Sequence, residues 1–136
     1  MLETIIGAVI EKLKECGASP VYSAFDNISI ERRGKGIFTV ADICSFESSA
    51  PIYSLYTVYL PYRAEVEVRV TAPENYSAAD IYRYYDRYIG TAVSGMSGLN
   101  GSLKGMTVRF DSNIRRLVLT VKVALSGIIR SERSVQ

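Results

Sequence analysis

The chain contains no histidine and no tryptophan, and only two cysteines and four prolines, in 136 residues. Without histidine there is no His-based triad, no imidazole metal ligand and no ordinary general base near neutral pH. Cys16 and Cys44 alone do not make a zinc site. The N-terminus lacks a secretory pattern: Glu3 precedes the apolar residues, and Glu11 and Lys12 interrupt any hydrophobic core of a leader. The expectation is therefore a cytosolic product with two buried or half-buried thiols rather than a disulfide. No apolar run reaches the roughly 18–20 residues that span a bilayer, so no membrane is expected. The net charge of +2 is too small to imply a polyanionic partner by itself. The glycine-rich stretch between Gly90 and Gly105 lacks the Lys-Ser/Thr ending of a phosphate-binding loop. These absences leave no cofactor, no metal and no catalytic constellation, and they predict a protein that is not an enzyme.

What is present points to a packed α+β domain. Apolar residues make up 48% of the chain, enough for a core without staples. One domain over residues 1–130 is expected, with 131–136 as a frayed tail. The organising stretch is 62–89. Val66, Val68 and Val70 alternate with Glu65, Glu67 and Arg69, the signature of an antiparallel strand with one dry face. Pro73 stops the strand, and Ser77 with Asp80 three residues later marks a helix start. Ile81, Tyr84, Tyr85, Tyr88 and Ile89 recur at helical spacing, and Gly90 is the expected end. A helix this close behind a strand folds back over the sheet.

The rest of the chain follows the same logic. Leu2, Ile5, Ile6, Val9, Ile10 and Leu13 line one face of an N-terminal helix that ends at Gly17. An extended segment over 21–25 precedes two strands, 28–32 and 37–43, joined by a turn at Arg33-Gly34-Lys35-Gly36. Residues 46–53 break the pattern and predict a loop, with a mobile arm as the alternative. Strand character resumes over 55–60. Pro61 marks an edge, a bulge or a strand start, with 63–71 as a continuation after a kink. Residues 90–105 read as a flexible connection. Residues 106–110 and 116–125 form a closing hairpin around Asp111-Ser112-Asn113, and Gly127 ends or bends its second strand. The fold expected is a mostly antiparallel sheet of five to six strands with two helices on one face.

Few residues suggest chemistry. Glu65 and Glu67 lie about 7 Å apart on one strand face, but Arg69 simply continues a charged outer surface. The tyrosines are more informative. Ten are present, and Tyr76, Tyr82, Tyr84, Tyr85 and Tyr88 sit in or beside the second helix. Tyr82 points away from the apolar stripe, where a rigid amphipathic ring suits a protein interface. The candidate interface residues are Arg32, Arg33 and Lys35 at the basic turn, Phe46, Ile52 and Tyr53 in the irregular stretch, and Tyr82. The alternative is a small nucleic-acid-binding module that stacks bases on Tyr76 and Tyr82 and neutralises phosphates with Arg32, Arg33, Arg115 and Arg116. An enzyme with an unrecognised site ranks last.

The order of elements carries a resemblance. A helix leads into PVYSAFD, then a hairpin, the strand YRAEVEVRV, the helix SAADIYRYYDRYI and a terminal hairpin. In this order the chain resembles the small bacteriophage tail terminator (tail-completion) proteins and related minor tail or neck proteins of prophages. Residues 6–13, 20–26, 62–71, 78–89 and 106–123 carry the similarity. The resemblance implies a structural protein of the virion tail, assembled in the cytoplasm of a bacterial host. Its partners would be copies of itself in a ring, commonly hexameric, together with tail-tube and head-tail connector proteins. The ring would enclose a lumen through which DNA can pass.

Overall fold

The structure, a computed structural model, describes residues 2–18, 20–23, 36–94 and 101–132. Helix α1 (Leu2–Glu15) is followed by β1 (Val21–Ser23), β2 (Phe38–Ser48), β3 (Ile52–Tyr53) and β4 (Thr57–Pro73). A second helical run comprises α2 (Ala78–Tyr84), a π-helical turn (Tyr85–Ile89) and α3 (Gly90–Ser94). Strands β5 (Ser102–Asp111) and β6 (Arg116–Glu132) close the fold. The strands form a six-stranded sheet in the order β1-β2-β4-β6-β5, with β3 also paired to β4. Every pairing is antiparallel except β1 with β2. The α+β architecture expected from the sequence is the one observed.

The core lies between one sheet face and the helices. Val66, Val68 and Val70 of β4 oppose Val123, Val121 and Leu119 of β6, and all are buried. Ile5, Val9 and Leu13 of α1 and Ile81 and Ile89 of the second helical run join the same cluster. Full burial of such side chains is worth about 1.5–3 kcal/mol each. The regular alternation along β4 and β6 is thus the main sequence determinant of the fold.

Both helix boundaries have identifiable causes. Gly17 adopts φ +100°, and its N–H donates to Lys14 O while Ala18 N–H donates to Leu13 O. This pair of bonds is a Schellman motif, which needs a residue without a Cβ at that position. A Cβ on Gly17 would also approach the Tyr88 ring to 2.9 Å. At the start of α2, the Ser77 side chain accepts from Asp80 N–H, and the Asp80 carboxylate accepts from Ser77 N–H at 2.9 Å. That is the capping box read from the sequence.

Several expectations are corrected. Gly90 does not stop the second helix: it sits at φ −60° and α3 carries the helical run on to Ser94. Ala92 and Val93 are buried, so tertiary packing overrides glycine's low helix propensity. β5 begins at Ser102, four residues before the strand expected from 106, and 95–100 of the expected flexible connection lie outside the described residues. The loop expected over 46–53 shrinks to 49–51, because β2 extends to Ser48 and β3 pairs Ile52 and Tyr53 with Tyr59 and Val58. Pro61 interrupts nothing. Its carbonyl accepts from Ser49 N–H at 3.0 Å, so its nitrogen faces the gap between β2 and β3, where the ladder requires no donor. Gly127 likewise leaves β6 unbroken as far as Glu132. Cys44 is exposed and Cys16 half-buried, both as free thiols. The expected strand over 28–32 and its basic turn lie outside the described residues.

Candidate functional site

Beyond the end of β2 the sheet continues as a narrow ribbon. The β4·β6 ladder runs from Pro73/Arg116 to Thr57/Glu132, while β2 leaves β4 at Tyr62. Past that point, among the described residues, β3 alone flanks β4 on the side away from β6. We call this ribbon the arm. At its root, Tyr62 lies across Gly127, its opposite residue on β6, and a Cβ there would meet the Tyr62 hydroxyl at 2.7 Å. Phe46 stacks on the other side of Tyr62 at 5.6 Å between centroids. Gly127 is thus a seat for an aromatic ring.

The tip of the arm is a tight turn. Ser54 N–H donates to Thr57 O at 2.8 Å, and Thr57 N–H returns a bond to Ser54 Oγ at 3.1 Å. The central positions of this turn are Leu55 and Tyr56. Such positions usually carry Gly, Pro, Asn or Asp, which supply the required backbone geometry and accept water. Here they carry apolar side chains that are 71% and 68% exposed. Ile52, Tyr53 and Ile128 on the same ribbon are also more than half exposed. Large apolar side chains clustered in this way mark a contact surface more often than a solvated one.

A second apolar feature lies on the body. A cleft of about 500 Å³ between α1 and β2 is lined by Leu2, Ile6, Ile43 and Phe46, with Glu3 and Asp42 among its polar lining. Beside it, Cys44 Sγ donates to Glu67 Oε2 at 3.6 Å. Partial burial, then the Glu67 carboxylate, push the Cys44 thiol up to about 11. Burial also raises Asp42, opposed by its 3.2 Å ion pair with Arg69 and reinforced by Glu67.

On the opposite face of the sheet, Glu65 and Glu67 sit among paired charges. Glu65 meets Lys104 at 3.8 Å and Glu67 meets Arg69 at 3.7 Å. The carboxylates weighed as an acid and nucleophile are thus engaged with cations. Among the described residues no group of acidic, Cys or His side chains is placed to hold a metal.

The candidate residues from the sequence divide unevenly. Ile52 and Tyr53 lie together on the arm, opposite Tyr59 and Val58, while Phe46 sits at its root, opposite Ala64. Tyr82 is exposed on the outer side of α2, 50% accessible, and apart from them. Arg32, Arg33 and Lys35 lie outside the described residues. Sequence reasoning missed Leu55, Tyr56 and Ile128. The available signal was the Ser-Leu-Tyr-Thr turn, with apolar residues where turn formers belong.

The geometry defines an α+β domain with an apolar β-arm, and the comparisons narrow it no further. No protein-family model matches the chain, and no curated protein matches it as a relative. Among solved structures it is similar to the type 4 fimbrial biogenesis protein PilO from Pseudomonas aeruginosa, at 14% identity and a TM-score of 0.28, over 97% of this chain and 72% of that one. It is also similar to the core region of PilO from the type IV pilus system of the same organism, at 8% identity and a TM-score of 0.27, over 71% and 84%. Likeness this low transfers no role.

The tail-terminator resemblance and the tail-assembly function it implied are corrected: no family model supports them. The solved structures reported are pilus-biogenesis proteins. The resemblance rested on element order alone, which any α+β domain of this layout satisfies. The nucleic-acid alternative falls as well. Arg116 is buried, Arg115 is ion-paired to Glu74 at 3.1 Å, and Tyr76 packs against the core. Those groups are not arrayed to meet a phosphate backbone.

Proposed function

We propose that this chain is a non-enzymatic assembly subunit that associates with copies of itself through the arm. The observation that carries the proposal is the turn tip, with Leu55 and Tyr56 exposed at positions that local folding would fill with turn formers. The α1/β2 cleft on a neighbouring copy supplies a receiving surface. It is mainly apolar, and its volume falls within the range of sites that bury a sizeable group. Arm and cleft are different surfaces of one subunit, so the contact is head-to-tail, and repeated it gives a closed ring or an open chain. The paired state of Glu65 and Glu67 and the lack of histidine support a structural role over catalysis.

Sedimentation velocity over a concentration series tests this. The wild-type chain is expected to shift to larger species as concentration rises. A Leu55→Asp/Tyr56→Asp variant is expected to remain monomeric with an unchanged melting temperature, because neither side chain belongs to the core. A wild-type chain that is monomeric throughout, or a double variant that assembles as well as wild type, overturns the proposal.

A further inference from the structure

A second surface, separate from the arm, lies at the sheet edge formed by β5. Among the described residues β1 and β5 end the sheet order, and the two-residue β3 hangs off it on β4. β1 is three residues long, too short to template another strand. β5 has ten residues and pairs on one side only, with β6, among the described residues. A register shift between Leu103 and Gly105 interrupts its start, leaving 105–111 as the regular run. That run contains no proline and no lysine, and its charges, Arg109 and Asp111, stand on the row opposite its apolar one. Its alternate residues Met106, Val108 and Phe110 oppose the buried Val121 and Leu119 and the half-buried Leu117, so they point to the helix-bearing face. They are nevertheless 43%, 36% and 50% exposed. Among the described residues the apolar layer of the sheet thus extends into a strand that the helices cover only in part.

We infer that β5 is a two-fold interface with a second copy of this chain, paired antiparallel and centred on Val108. The occupant follows from the edge. A regular run with one apolar row needs a partner edge of equal length carrying the same row on the same face. The other terminal strand, β1, is too short, and the free edge of β6 beyond Ala124 alternates Ser126, Ile128, Arg130 and Glu132 on one face with Gly127, Ile129 and Ser131 on the other. Another β5 meets both requirements. Pairing 105–111 with itself places Val108 opposite Val108, Met106 opposite Phe110 and Thr107 opposite Arg109. Along the Met106/Val108/Phe110 row apolar meets apolar, and no like charges stand directly opposed. Directly opposed residues share a face in an antiparallel pair, so the apolar rows of the two copies form one continuous strip. A one-residue slip sends that row to the charged face. Centring on Arg109 instead opposes two guanidinium groups, and centring on Thr107 draws the register break into the pair. The two copies share a twelve-strand sheet, twice the six of one chain.

Cysteine cross-linking in the full chain, with Cys16 and Cys44 replaced by serine, tests the contact and its register. Opposed Cα atoms in such a pair lie about 4.5–5.5 Å apart, within disulfide reach. Val108→Cys is expected to form a dimer-sized disulfide under mild oxidation. Met106→Cys and Phe110→Cys are each expected to stay monomeric alone and to cross-link when mixed. Arg109→Cys sits about 7–8 Å from its own copy, beyond reach, and is expected not to bridge. Absence of the Val108→Cys product, or equal cross-linking at all four positions, overturns the inference. Hydrogen exchange on the unsubstituted chain gives an independent measure: protection over 105–111 should fall at least tenfold on dilution, and concentration-independent exchange there argues against the contact. The Leu55→Asp/Tyr56→Asp background separates this interface from the arm, since Val108→Cys is expected to cross-link in it undiminished.

Discussion

Arg116 is 6% exposed, and its hydrogen-bond partners among the described residues are neutral oxygens. Its Nε donates to Thr71 Oγ1 at 2.9 Å, and its terminal nitrogen donates to Gly36 O at 2.6 Å and Thr71 O at 3.2 Å. The guanidinium lies 4.5 Å from the Phe38 ring centroid. A weakly hydrated planar cation suits this arrangement: neutral acceptors in its plane and a π face above it. Arg116→Ala leaves buried oxygens without donors and is expected to cost about 2–4 kcal/mol in urea unfolding, with Arg116→Lys recovering only part of it. Cys44 offers a residue-scale reading of the charged face. With its thiol pushed up to about 11, its alkylation rate should keep rising well past pH 9. Glu67→Gln removes the neighbouring carboxylate, and the midpoint of the Cys44 profile should move to lower pH, read by mass spectrometry of the modified peptide. Neither environment was legible in the sequence. Arg116 looked like a surface cation beside a turn, because its acceptors come from Gly36 and Thr71, far away in the chain.

Where local chemistry alone decides, the elements were legible. Ser77 and Asp80 predicted their helix start because a capping box is complete within four residues. Ser77→Ala is expected to cost about 1 kcal/mol. The same box carries a pH dependence. The Ser77 backbone N–H and then its hydroxyl, with Arg83 contributing, hold the Asp80 carboxyl below its ordinary 3.8. A folded value below the unfolded one means the stabilisation is complete above 3.8 and lost as pH falls through the lower folded value. Asp80→Asn should therefore flatten the acid limb of a stability–pH curve and leave its shape above pH 5 unchanged. Boundaries set by distant packing were not legible. Gly90 carries an ordinary stop signal, yet Ala92 and Val93 are buried and the helical run continues over them. Pro61 is a strand breaker by composition, but it falls at the one stretch of β4 where its neighbour has ended. In both cases the deciding fact lies on another element.

At the scale of the molecule, the long β4·β6 ladder ties two regions of unlike stability together. Its middle is the floor of the core, where Val66, Val68, Val70, Leu119, Val121 and Val123 are essentially inaccessible. Its outer end is the arm, with solvent on most sides. The alternation that made the core readable continues into the arm as Tyr56, Val58 and Leu60 against Leu55, Thr57 and Tyr59, so the sequence showed a strand there. It could not show that the helices stop short of it, because helix coverage depends on three-dimensional placement. Amide exchange should expose the division. In dilute chain, amides of the central ladder are expected to exchange only by global opening, and those of 52–60 and 128–132 by local fraying that is orders of magnitude faster. On raising the concentration, arm amides should slow together with those of 105–111 while the central ladder stays unchanged, since its protection is already set by the fold. Slowing confined to one region would identify which of the two surfaces assembles alone. Uniform slowing of the whole chain would mean that association stabilises the folded state globally and that neither surface acts as a discrete contact.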